Sequence, residues 1–163
     1  MKEVQEEKTK RMLYPWLVML VGAVLLLITL LLPYASSTKE HKEMPNVSLV
    51  EYVRIYATAA SYDGYKDAAV ATVVIIVIFA VLSLLTMLLS VLKKTIGVIV
   101  FDFLALISFH LIHFDFADRG VLPSNWYNWG IASCLGYIAG IAVIAGAVWM
   151  IVVRRKAKRI QQV

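Results

Sequence analysis

The side chains that could do chemistry in this chain gather between Asp102 and Asp118. Asp102 is the one acidic residue inside a long apolar run. A carboxyl placed in lipid costs about 2.5–3.5 kcal/mol on insertion scales, so it turns toward other helices and finds a partner or an ion. Two chemistries suit it: a site for a proton or cation, or a neutral carboxyl hydrogen-bonded across helices. It lies seven residues from the inner end of its run, roughly 10 Å deep at about 1.5 Å per residue. At comparable depth the neighbouring runs offer the Thr86 hydroxyl and the Trp149 indole. With no second intramembrane charge to relay to, the packing role is the expected one.

Further along the same run, HLIHFDFAD places His110 and His113 at i, i+3, with Asp115 and Asp118 beyond. Histidines three apart share a helix face, and imidazole with carboxylate is a zinc donor set. His110, His113 and Asp115 are therefore candidate metal ligands. The stretch is not HExxH and supplies no further ligand at fixed spacing, while Phe109, Phe114 and Phe116 interleave it as in an interfacial segment. Metal binding is not expected. The chain shows no P-loop, GxGxxG, GxSxG or CxxC motif, and no serine has an identifiable base. The sequence therefore implies neither a cofactor nor an enzyme.

The elements that must position these residues are apolar runs. Of 163 residues, 61% are hydrophobic and the mean hydropathy is +0.77, above the roughly 45–50% apolar usage of soluble domains. Four runs are long enough to cross a bilayer: about 13–32, 68–92, 95–114 and 130–153, with outer loops at 33–67 and 115–129. Together they form one membrane domain, 1–163. The first is longer than the 7–15 apolar residues of a signal peptide, so a retained span is expected. Tyr14, Pro15 and Trp16 open it, after a charged tail of 12 residues. Lys93-Lys94 is a minimal turn that makes the second and third spans antiparallel neighbours. Gly120 is the expected stop of the third.

Eleven of the 16 Lys and Arg fall in the segments that share a side with both termini, ending in the block Arg154 to Arg159. The positive-inside rule then places both termini in the cytoplasm of a multi-pass plasma-membrane protein. That block faces an anionic inner leaflet rather than nucleic acid, since so short a tail has no fold with which to read a base. Cys134 is the sole cysteine, which excludes disulfide-stapled outer loops.

Two local patterns complete the picture. Ser48 and Glu51 fit a capping box, followed by Leu49, Val53, Tyr56 and Ala60 on one face. This predicts an amphipathic helix over 48–60, after an irregular stretch and before a turn at Tyr62 to Tyr65. Asn46-Val47-Ser48 is a glycosylation sequon. In the last span Ala132, Gly136 and Gly140, with Ala142 and Gly146 alongside, make a small-residue ladder that lets helix backbones approach closely. The expected fold is an all-α membrane protein, a four-transmembrane-helix antiparallel bundle with a short amphipathic helix in the first outer loop. The expected function is a non-enzymatic scaffold or accessory subunit that binds a membrane protein, or a copy of itself, through the ladder. The alternatives are a proton- or cation-conducting oligomer using Asp102 and a metal-dependent enzyme at His110 and His113.

Overall fold

A computed structural model describes residues 2–62, 64 and 66–160, the side chains of 2–11 and 158–160 excepted. It is 75% helical. The long helices are α1 (Lys2–Ile28), α3 (Lys66–Val91), α4 (Thr95–Asp118) and α5 (Ile131–Ile160), with a short α2 (Leu49–Ala59). Three of them, over Lys66–Val91, Thr95–Asp118 and Ile131–Ala157, are long and apolar enough to cross a membrane. The apolar part of α1, Met12–Ile28, is shorter.

The chain is not all-α. Strands β1 (Pro33–Ser37), β2 (Val47–Ser48) and β3 (Tyr127–Trp129) form an antiparallel sheet in the order β2-β1-β3. Ala35, Ser36 and Ser37 pair with Trp129, Asn128 and Tyr127, so the loops 33–67 and 115–129 are joined in one sheet. The stretch 35–46, expected to be irregular, begins instead in the central strand, which ends at Ser37. This strand also shortens the first helix. Instead of running to residue 32, α1 ends at Ile28 and tightens through Leu30 N–H to Leu27 and Leu31 N–H to Ile28 carbonyls (3.1 and 2.9 Å). Pro33 disfavours helix at the residue before it, and the Leu30 carbonyl accepts from Val50 N–H at 3.2 Å. At its other end α1 does not begin at Pro15 but runs through it from Lys2.

Helix α2 forms where the capping box lies. The Ser48 hydroxyl accepts from Glu51 N–H at 3.3 Å and the Glu51 carboxylate accepts from Ser48 N–H at 2.7 Å. That bond and one from the Ser48 hydroxyl hold the Glu51 carboxyl below its usual range. Leu49 and Tyr52 are buried, Val53 and Tyr56 half-buried, and Glu51 and Arg54 exposed. Ser48 is buried in its capping role, so the sequon's serine is not presented to solvent. Of the turn expected at 62–65, residues 63 and 65 lie outside the described residues; Gly64 has φ +97°.

Helices α3 and α4 run side by side in opposite directions from the turn at Leu92–Lys94. Leu89 lies against Gly97, the Phe79 and Phe109 rings meet at 5.1 Å, and Thr72 reaches Asp115 at 3.1 Å. Their buried faces follow alternating steps of three and four: Thr72, Ile76, Phe79, Ser83, Thr86, Ser90 on α3 and Val98, Asp102, Ala105, Phe109, Ile112, Phe116 on α4. Such a stripe is the seam of closely packed, nearly aligned helices. Helix α5 packs on α1 and α4, and α1 also packs on α3.

Candidate functional site

Two ends of the molecule differ in chemistry. At one end the sheet and α2 form a cap over an aromatic cluster. Tyr34 on β1 is fully buried at its centre, edge-on to Phe109, Phe116 and Trp129 with centroids 5.8, 5.6 and 5.8 Å away. Edge-to-face pairs contribute about 0.5–1.5 kcal/mol each beyond the area they bury. Tyr52 of α2 joins Phe116 at 4.7 Å. Burial pushes the Tyr34 and Tyr52 phenols well above their ordinary range, so both stay neutral hydrogen-bonding groups. At the other end Trp16 Nε1–H donates to the Ser90 carbonyl at 3.0 Å, Lys93 Nζ sits 4.9 Å from the Trp16 ring, and Arg154 donates to the Lys93 carbonyl at 3.3 Å. Helix α5 continues to Ile160, so the basic block extends a helix rather than forming a loose tail. The side chains of Lys158 and Arg159 lie outside the described residues.

The histidines belong to the cap, and each has its own partner. His110 Nδ1 lies 3.0 Å from the Tyr137 hydroxyl. His113 Nδ1 lies 3.5 Å from the Tyr34 hydroxyl, and its ring stacks on Trp129 at 3.8 Å. Asp115 turns to α3 instead, where it accepts from Thr72 and pairs with Arg119, whose guanidinium also donates to the Thr72 hydroxyl at 2.7 Å. The candidate ligands His110, His113 and Asp115 therefore do not converge. No group of three or more metal-ligating side chains occurs among the described residues. His41 stacks on Trp126 at 4.8 Å.

Asp102 is fully buried between helices, and neither carboxyl oxygen has a protein hydrogen-bond partner. Thr86 Oγ1 on α3 is equally buried and unpartnered. The other suggested neighbour, Trp149, is 48% exposed and lines an outward apolar groove of about 510 Å³ with Ile141, Ile144, Ala145 and Val148. The Gly140–Leu106 and Gly136–Phe109 contacts put Ile144 level with Asp102, so Trp149 lies about 7 Å nearer the Lys93 turn as well as facing outward.

The small-residue ladder is used within the chain. A Cβ on Gly136 would overlap the Phe109 ring, one on Gly140 would lie 2.5 Å from Leu106 Cδ2, and one on Gly146 would lie 2.6 Å from the Met19 backbone nitrogen. Ala132 is fully buried beside them. Gly22 of α1 reciprocates, its missing Cβ leaving room for Val143 and the Ala139 carbonyl. The ladder seats α1 and α4 on α5. It is not an open face waiting for a partner, because the backbone approach it permits is already taken.

Tyr34, Tyr52 and the Thr72–Asp115–Arg119 triad escaped sequence reading. The triad has a signal, a threonine at the outer end of an apolar run and a cation four residues after an acid. Tyr34 has none locally, as its partners are about 75 to 95 residues away along the chain. No protein-family profile matches the chain, and no curated protein or solved structure is significantly similar to it.

Proposed function

We propose that the chain is a non-enzymatic four-span protein of the cell membrane, with both termini cytoplasmic, that uses its outer cap to hold another membrane protein. The fourth span in this reading is α1. It runs from the Lys93 turn, where Trp16 sits, to the first strand of the cap, the same interval that α3, α4 and α5 cover, so neighbouring helices alternate in direction. The cationic residues at the Lys93 and Arg154 end favour the cytoplasmic side for that end. In a background of Cys134→Ala, which removes the exposed native thiol, Lys42→Cys should react with an impermeant thiol reagent added to intact cells and Lys156→Cys should not. Labelling at position 156 would reverse the orientation.

The observation that carries the docking reading is the cap itself. Asn46, Thr38, Ser48 and Glu51 are tied to structural partners within it, yet α2 presents Val50 and Ile55 at about half exposure beside Arg54. Apolar positions left outward on an otherwise well-packed element mark an interaction face. The ladder, engaged inside the chain, no longer supports this role. Purification in mild detergent with mass measurement should find a co-eluting membrane protein, lost in Ile55→Glu while the chain stays folded. A second reading, proton or cation movement through Asp102, is favoured by its unpartnered oxygens. Wild-type protein that elutes alone and carries a reconstituted flux abolished by Asp102→Asn would replace the docking reading.

A further inference from the structure

Six hydroxyl side chains are buried in α3 and α4, and Thr86 is the one whose oxygen is fully enclosed with no partner. Thr72 is engaged across the helices by Asp115 and Arg119, while Ser83, Ser90 and Ser108 each donate to the carbonyl four residues back at 2.8–3.0 Å. Thr86 does not, although the Leu82 carbonyl lies at the same offset. Its hydroxyl is kept for something between the helices.

The register of the hairpin says what lies opposite. Phe79 and Phe109 meet across the seam. Thr86 is seven residues beyond Phe79 and Asp102 seven before Phe109, so both step about two turns toward the Lys93 turn along their own buried faces. The Leu89–Gly97 contact nearer the turn lies within two residues of that register. Thr86 and Asp102 thus face the seam at one level. Both are short side chains, between helix axes that pack about 8–10 Å apart, and neither has a partner within hydrogen-bonding distance. Among the described residues no Lys, Arg or His is buried, and Asp102 is the one buried acid. With no counter-charge packed beside it, burial disfavours the charged form of the carboxyl.

We propose that Asp102 and Thr86 together bind one water molecule between α3 and α4, with Asp102 protonated. A water needs two to four polar partners to be held in an interior, and the two carboxyl oxygens with the hydroxyl supply three. The bridge satisfies all three orphaned atoms at once and joins the two helices about two turns from the Lys93 turn. It does not depend on the docking reading.

Infrared difference spectroscopy of the reconstituted chain at neutral pH tests this. A protonated-carboxyl C=O band that disappears in Asp102→Asn belongs to Asp102. That band should shift in Thr86→Val, stay in place in Thr86→Ser and Ser83→Ala, and be accompanied by a water band that moves in heavy-oxygen water and is lost in Thr86→Val. Thr86→Ala serves as the second deletion where valine disturbs the seam. Absence of the carboxyl band would mean an ionised group holding a cation, and overturns the proposal. A carboxyl band that shifts with no heavy-oxygen-sensitive partner would mean a direct Asp102–Thr86 bond, and also overturns it.

Discussion

Tyr34→Ala is expected to lower stability by about 3–5 kcal/mol, the range for deleting a large aromatic from a packed interior. Tyr34 is fully buried, and three rings meet its own edge-on. Those rings come from α4 and β3, so a cavity at Tyr34 undermines both the sheet and the seat of the cap on the helices. Tyr34→Phe separates packing from polarity. It keeps the ring and loses only a contact to His113 Nδ1 at 3.5 Å, the outer limit of a hydrogen bond, so its cost should stay under about 1 kcal/mol. Reversible unfolding in mixed detergent measures both, and hydrogen exchange locates the loss in β1 and β3. A Tyr34→Ala variant within about 1 kcal/mol of wild type would show that the cap is held by the sheet ladder alone.

That central role of Tyr34 was not legible in the sequence, and the reason is physical. Helices in lipid announce themselves through long uncharged runs, and a capping box through two residues three apart; α3, α4, α5 and the start of α2 were readable on those grounds. A strand such as Pro33–Ser37 is short, rich in small residues and without alternation. It becomes a strand because Val47–Ser48 pairs with it on one side and Tyr127–Trp129, about ninety residues away, on the other. The buried faces had a signal that polarity rules for water invert. On α3 the lipid-facing positions are Val, Ile and Leu, while Thr72, Ser83, Thr86 and Ser90 turn inward. In a bilayer the polar stripe marks the buried side. The same rule identified Asp102 as inward-facing, but the register and rotation of each neighbouring helix decide what lies beside it, which is why Thr86 sits at its level on the seam while Trp149, nearer the Lys93 turn, faces away.

Gly146→Ala should be the most damaging single-methyl insertion in the ladder, and the comparison with Gly140→Ala shows why. At Gly140 the new methyl meets the end of the Leu106 side chain, which is half-buried and can swing aside. At Gly146 it meets the backbone of Met19, with the nitrogen at 2.6 Å and the Cα at 2.9 Å. No rotamer change relieves a clash with backbone, so α1 must move away from α5 along its length. Overpacking of this kind costs about 1–3 kcal/mol, and Gly146→Ala belongs at the top of that range, with Gly140→Ala below it. Because α1 leads directly into β1, the displacement should also lower hydrogen-exchange protection in the cap. A ladder that serves a partner instead of the chain itself gives the opposite pattern: Gly136→Ala, Gly140→Ala and Gly146→Ala would all leave the isolated chain as stable as wild type and release the co-eluting protein. Equal stability of the Gly146→Ala and wild-type chains would therefore return the ladder to the role of an intermolecular face.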